Sequence, residues 1–306
     1  MKILYKNVDI SDSVDAKECY FDSYSGKNGD ALKLKIKDSS NIWDKYDPQI
    51  GNEIIITSGN ISTGKMNVVS VAPESGYYTI HATSLPIGWN GKRCMEWNRI
   101  TFKQLCRDAA VRHGLEYKDY DSNDRIYSYL CQDMQNDFEF IQKLATYEGN
   151  DVCVKDGSLI TYCIETLEST KVSTVITIDA LNKLEFERRP KYGECTVIGS
   201  SERHTYTVRS GPELVKKIDI QTDSLETLET YAKNLLKASD RKTETGRFYT
   251  KPLADNLSAG TVTVLWSDKD TFNGRIFIEH IRHDFLNNRS KVFFRRVTNY
   301  AADVER

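Results

Sequence analysis

The sequence contains no CxxC pair. Its cysteines, at positions 19, 94, 106, 131, 153, 163 and 195, are odd in number and loosely spaced. That excludes a disulfide framework and a zinc site of ordinary spacing, and leaves free, largely buried thiols, as in a reducing compartment. GxSxG, HExxH and a convincing Cys–His pair are also missing, which removes the common signatures of serine hydrolases and metallopeptidases. No apolar run is long enough to span a bilayer, so no membrane anchor is expected. The opening MKILYKNVDI lacks the apolar core and cleavage pattern of a signal peptide. Charge of one sign is lacking too: 42 Lys and Arg stand against 44 Asp and Glu. This balance argues against a general nucleic-acid binder, though not against a local basic patch, and it favours self-association.

What is present is an ordinary globular composition over 306 residues, enough for two or three domains. Tyrosine is plentiful at 17, a residue that often serves protein contacts. The stretch from Trp97 to Tyr162 organises the chain. A helix is expected from an N-cap at Thr101, with Phe102, Leu105, Cys106 and Ala109 on its apolar face and Gly114 as its stop. A second is expected from Asn136, with Glu139 three residues on, Phe140, Ile141, Leu144 and Ala145 buried, and Gly149 at its end. Asp156-Gly157 then centres a tight hairpin in DVCVKDGSLITY.

Strand-rich segments flank this module. Residues 1 to about 85 read as an antiparallel barrel or sandwich: KILYKNVDI, the alternating Ala31 to Ile36, Asn52 to Thr57, Lys65 to Val71, a turn at Pro73 to Gly76, and Tyr77 to Thr83. Residues 86–100 read as a linker whose Trp89 and Trp97 serve either a domain interface or ordinary packing. Strands are expected again at 174–178, 184–188, 194–199 and 204–209. A third helix is expected over 222–239, with Leu225, Leu228, Ala232, Leu235 and Leu236 as its stripe, followed by strands over 245–297. A weak repeat emerges. Gly51, a strand, a loop ending at Gly64, then strands 65–71 and 77–83 match Gly260, a strand, a loop ending at Gly274, then strands 275–281 and 291–297.

Two motifs invite chemistry and are set aside. Gly59 to Met66 nearly matches a phosphate-binding loop, but Met66 stands where a hydroxyl must hold magnesium, and β-rich residues follow in place of a helix. His280-Ile281-Arg282-His283-Asp284 hints at a metal, yet positions 280 and 283 of a strand face opposite ways. No catalytic, cofactor-binding or metal residue is assigned, and no cofactor is expected.

Three places carry a family resemblance: ALKLKIKDSSNIWDKYDPQIGNEIIIT with STGKMNV; Thr101 to Leu115; and, most specifically, Gln135 to Ala145 running to Gly149 and Val154 to Leu159. In their order these features resemble the baseplate hub of phage tails, the late control gene D family, and are most similar to versions in Gram-positive prophages and phage-tail-like bacteriocins. Beyond about residue 170 the resemblance rests on order and length. It implies an α+β, mainly β fold: two tail-tube-like antiparallel β-barrel domains with an inserted small α+β (helix–helix–hairpin) domain. The implied division is 1–90 for part of the first barrel, 91–165 for the insertion, and 166–306 for the remaining strands plus the second barrel with helix 222–239.

In that family the hub is a homotrimer, a pseudo-sixfold ring joining the hexameric tail tube to the trimeric central spike of a contractile or noncontractile tail. Implied partners are tail tube proteins, the spike, other baseplate proteins and the tape measure protein, in a virion or particle baseplate assembled in the bacterial cytoplasm. No needle, LysM-type or hydrolase segment is recognised, so spike and lytic activities are expected on other chains. The competing readings are a cell-wall hydrolase or nucleotide-binding enzyme, which would need Lys65 or a paired carboxylate, and a host-surface binding module, which tyrosine richness would suit.

Overall fold

The computed structural model describes residues 1–26, 29–38, 43, 47–172, 174–178, 183–221, 224–267 and 272–297. The chain opens with β1 (Lys2–Tyr5) and β2 (Val8–Asp9), followed by β3 (Asp15–Tyr24), β4 (Ala31–Lys37), β5 (Glu53–Ser58), β6 (Ile61–Ser62), β7 (Met66–Glu74) and β8 (Tyr77–Thr83). Period-two alternation decides what they bury. Leu32, Leu34 and Ile36 of β4 pack with Ile54 and Ile56 of β5 and Ile80 and Ala82 of β8, each large apolar side chain contributing about 1.5–3 kcal/mol. Two details depart from expectation. β3 is a full strand where none was read, and β7 runs through Pro73 and Glu74, so that Ser75-Gly76 alone makes the turn, with Gly76 at φ +74°.

The middle of the chain comprises β9 (Arg93–Thr101), α1 (Phe102–Arg112), β10 (Glu116–Tyr120), β11 (Ile126–Gln135), α2 (Asp137–Glu148), β12 (Asn150–Lys155), β13 (Ser158–Cys163) and α3 (Ile164–Ser169). Both expected helices start where their caps place them. The Thr101 hydroxyl accepts from the Gln104 N–H while the Gln104 side chain returns to the Thr101 N–H. The Asn136 side chain accepts from the Glu139 N–H at 2.8 Å. Such caps contribute about 1 kcal/mol each. Gly149 ends α2 at φ +74°, and Asp156 and Gly157 turn the β12–β13 hairpin at φ +45° and +70°. The expected linker proves to be largely strand, since β9 pairs antiparallel with β11 from Thr101↔Ile126 to Arg93↔Gln135. Trp89 and Trp97 belong to the core of this region, against His113 and Phe138 and against Phe140 respectively.

The last part holds β14 (Val175–Ile178), β15 (Glu185–Arg188), β16 (Glu194–Ile198), β17 (Arg203–Thr207), β18 (Glu213–Lys217), α4 (Leu225–Asp240), β19 (Glu244–Thr250), β20 (Val262–Ser267), β21 (Gly274–Asp284) and β22 (Arg289–Arg296). Strands β16 to β18 form a small sheet under α4. Residues 222 and 223, where the third helix was expected to begin, lie outside the described residues. Its expected stripe needs one change: Leu225 is exposed, and Tyr231 is buried with Leu228, Ala232, Leu235 and Leu236.

The architecture is therefore mainly β, largely antiparallel, with four helices among the described residues. The principal sheet runs β15-β19-β22-β21-β3-β4-β8-β7-β5-β1-β2, with β20 and β14 branching from β21 and β6 from β5. This ladder is open: among the described residues its ends do not meet, so no closed barrel forms within one chain. No helix is long and apolar enough to cross a membrane.

The repeat in the sequence has a backbone counterpart. Gly51 N–H donates to Val68 O and Val68 N–H to Asn52 O; Gly260 N–H donates to Ile278 O and Ile278 N–H to Thr261 O. Both glycines sit at φ +90°, a conformation that disfavours any side chain. Just beyond, each long strand bulges, between Val68 and Ser70 in β7 and between Ile278 and His280 in β21. The order β3-β4-β8-β7-β5 thus recurs as β15-β19-β22-β21-β20.

Candidate assembly interface

The two strand groups meet where β21 pairs with β3, His280↔Tyr24 through Asp284↔Tyr20. Main-chain bonds extend the joint at both ends, from Ser25 N–H to Glu279 O and from Phe285 N–H to Cys19 O. On one face Asp22 clamps the joint. Its carboxylate accepts from Arg282 at 2.8 and 3.1 Å and lies 2.6 Å from His280 Nε2. Burial pushes the Asp22 carboxyl up, but the His280 and Arg282 contacts outweigh it and hold it below the usual range. Beside the clamp His280 stacks between Tyr24 and Phe293, centroids 4.3 and 4.6 Å away. On the opposite face Phe21 stacks against His283 and Phe285.

The middle region is anchored to both groups. Ser84 Oγ donates to Val154 O at 2.6 Å, Tyr162 OH to Ser25 O at 2.7 Å, and Lys155 Nζ to Ser23 Oγ at 3.1 Å. Gly26 packs closely here: a Cβ there would lie 2.4 Å from the Asp151 carboxylate, which would have to shift. Behind it, Glu168 of α3 takes a two-pronged ion pair from Arg241, at 3.1 Å on each oxygen, and a second from Arg295 of β22. Glu148 of α2 receives Arg125 at 3.1 Å, Tyr127 OH at 3.0 Å and Tyr231 OH at 2.9 Å, tying α2 to α4.

Asp30, at the turn between β3 and β4, is 4% exposed. Burial raises its carboxyl to about 6 against the pull of Lys155. A raised folded pKa means the folded state binds the proton more tightly, so stability falls as pH climbs from about 4 through 6. Asp30→Asn keeps an oxygen for the Tyr24 N–H, which donates to Asp30 at 2.7 Å. The variant is expected to be more stable than the parent at pH 7.5 by up to about 3 kcal/mol, with the gain vanishing near pH 4. His283, pushed down to about 4 by burial, works in the opposite sense: its contribution is complete above about 6.5 and lost as pH falls towards 4. It is common to both proteins and cancels in the comparison. Urea midpoints at pH 4, 5.5 and 7.5 measure the effect; a gain equal at all three would rule out titration as its source.

The motifs that suggested chemistry take structural roles. Gly59 and Gly64, at φ +58° and +61°, turn the chain around β6, and a strand follows Lys65. The Lys65 N–H donates to the Asp156 carboxylate at 3.0 Å, so an anion of the chain itself stands beside this loop. His280 and His283 face opposite sides, as strand geometry requires: the first meets Asp22, the second Ser290. Ser290 Oγ lies 2.9 Å from His283 Nδ1, a nucleophile–base distance, but Ser290 is 1% exposed and also accepts from the Ala254 N–H. Burial raises the thiols of Cys19 and Cys153 to about 12, which makes them poor nucleophiles. Among the described residues no group of three or more His, Cys, Asp or Glu side chains is placed to hold a metal. The joint residues Asp22, His280 and Arg282 went unread as a set, because 258 and 260 positions separate the partners. Only the period-two pattern of β3 could have pointed to them.

No protein-family model matches the chain, and no curated protein matches it by sequence. Solved structures do match. The chain is similar to the 43 kDa tail protein of prophage MuSo2 from Shewanella oneidensis, with TM-score 0.76 and 11% identity over 96% of this chain and 98% of that one. It is similar to a tail protein from Neisseria meningitidis MC58, with TM-score 0.75 and 10% identity over 99% and 98%. It is also similar to the E. coli c3393 protein, a type VI secretion component described as structurally similar to the T4 bacteriophage tail proteins gp27 and gp5. There the TM-score is 0.66 and the identity 9%, over 98% of this chain and 77% of that one. At such identities the likeness is one of fold: the chain has the fold of phage tail and related secretion-system proteins.

Proposed function

We propose that the chain is the structural baseplate hub of a phage tail or phage-tail-like injection particle. It forms a trimeric, pseudo-sixfold ring between a hexameric tube and a trimeric central spike, and it has no catalytic role. The observation that carries this reading is the duplicated strand group, with matching glycine bridges and bulges, set side by side in one sheet. Three chains carrying two such units each present six near-equivalent surfaces, which suits a sixfold partner on one side and a threefold partner on the other. The open ladder supports it as well, since a barrel left open in one chain has edges for a neighbour to fill.

In this reading residues 1–90 and the strands within 166–306 are the two tube-like units, and 91–165 is the insertion between them. Tube, spike, tape measure and other baseplate proteins are the partners, in a particle assembled in the cytoplasm. Light scattering of the purified protein with negative-stain imaging tests the proposal. The expected result is a ring of about three times the 35.0 kDa chain mass, with a central hole. A chain that stays monomeric both alone and when mixed with tube and spike proteins would falsify it.

A further inference from the structure

The joint between β21 and β3 inside the chain has an unfilled copy. Superposing the repeat through its pairings equates Ser70, Val71, Ala72, Pro73 and Glu74 of β7 with His280 to Asp284 of β21. The same pairings equate Glu185, Phe186, Glu187 and Arg188 of β15 with Tyr20 to Ser23 of β3. In β21 the second half is paired by β3. In β7 the corresponding half, after the bulge, has β8 on one side and no strand on the other among the described residues, while β15 ends the sheet. We infer that β7 of one protomer pairs antiparallel with β15 of the next, reproducing between chains the joint that β21 and β3 make within one. This rests on the ring reading and specifies the contact that closes it.

The phase of the backbone agrees. Antiparallel strands aim alternate residues at alternate neighbours. The Arg189 N–H donates to Thr243 O, so Arg189 and Glu187 face β19 and Phe186 faces the outer side. The two-residue turn at Ser75-Gly76 makes Glu74↔Tyr77 a bonded pair, so Glu74 and Ala72 face β8, and Val71 and Pro73 face outward. The implied register places Val71 opposite Arg188, Ala72 opposite Glu187 and Pro73 opposite Phe186.

Side-chain character agrees in part. Val71 packs on the first core and Phe186 on the last, so the joint continues one apolar face. At its end Glu74 meets Glu185, but Lys35 already neutralises the first and Arg247 the second. Pro73 offers only its carbonyl, and Ala72 stands where Arg282 anchors the Asp22 clamp. The copy between chains is therefore the weaker of the two, with about three main-chain hydrogen bonds at about 1 kcal/mol each.

Disulfide trapping tests it. With the exposed Cys94 and Cys131 changed to serine, Ala72→Cys is combined with Glu187→Cys. This is a non-bonded pair whose Cα atoms in register would lie about 4.5 Å apart, within disulfide range. The control combines Ala72→Cys with Glu185→Cys, a diagonal pair about 7–8 Å apart. Mild oxidation is expected to give at least about tenfold more covalent multimer from the in-register pair, with the series ending at three chains. Val71→Pro, which removes an outward N–H that no strand pairs among the described residues, is expected to leave the thermal midpoint within a few degrees of the parent and to abolish rings. Equal trapping from both pairs, or rings that survive Val71→Pro, overturns the joint. Rings seen without in-register trapping overturn it while leaving the hub reading intact. Monomers with no trapping, both alone and when mixed with tube and spike proteins, overturn both.

Discussion

Glu168→Ala is expected to cost roughly 3–5 kcal/mol of folding stability, the scale for removing one partner of a buried ion pair. Glu168 is 6% exposed, and its partners Arg241 and Arg295 are 6% and 3% exposed. Deleting the carboxylate strands one guanidinium and, among the described residues, leaves Arg295 only Glu279, at 3.3 Å, as an acidic partner. It also leaves two like charges facing each other without the anion between them. The side chains come from α3, the end of α4 and β22, so the loss falls on the contact between the middle region and the last strand group. Glu168→Gln, which keeps two polar atoms and loses the charge, should fall between parent and alanine variant. Urea unfolding measures this. A loss below about 1 kcal/mol would mean that the arginines find water, and that the ion pair is only a surface contact.

Glu148→Ala should be comparably damaging, for a different reason. Besides the charge of Arg125, it removes the acceptor of two buried phenols. Tyr127 and Tyr231 are 4% and 0% exposed, and both donate to Glu148 Oε1. Burial, reinforced by the Glu148 charge, holds both phenols well above their ordinary pKa, so neither escapes by ionising. Each stranded hydroxyl costs about 1–3 kcal/mol, and the cation adds more, giving a total near 3–5 kcal/mol. A double-mutant cycle isolates the coupling. Tyr231→Phe should be costly in the parent and cheaper by at least about 1 kcal/mol once Glu148 is gone. Additivity would place the Tyr231 hydroxyl outside the network.

Local features were the legible part of the sequence. Thr101, Asn136 and Gly149 carry their meaning within four residues, because a cap bonds only its own first or last turn. Asp156-Gly157 is legible for the same reason. β9 was not: Met95 and Trp97 alternate with Cys94, Glu96 and Asn98, but Arg99 breaks the period and nothing from Arg93 to Arg99 is fully buried, so β11 opposite makes it a strand. β3 and β18 were missed as well, β3 despite its partial period-two pattern. The repeat was visible as spacing, but its strongest mark is the bond from Gly51 and Gly260 to the strand before each bulge, which exists only once distant strands meet. The contact set of Asp22, Glu148 and Glu168 could not be read, because charge partners 23 positions apart (Arg125 and Glu148) to 260 apart (Asp22 and Arg282) leave no local trace.

The direction in which the joint is loaded follows from the antiparallel run of β21 against β3. Force along those strands tries to slide them past each other, and every ladder bond from Ser25–Glu279 to Phe285–Cys19 must then yield together with the Asp22–Arg282 clamp. Force across the sheet instead peels the same bonds one at a time. Under a load aligned with the strands the joint acts as one unit, and it fails first under a sideways pull.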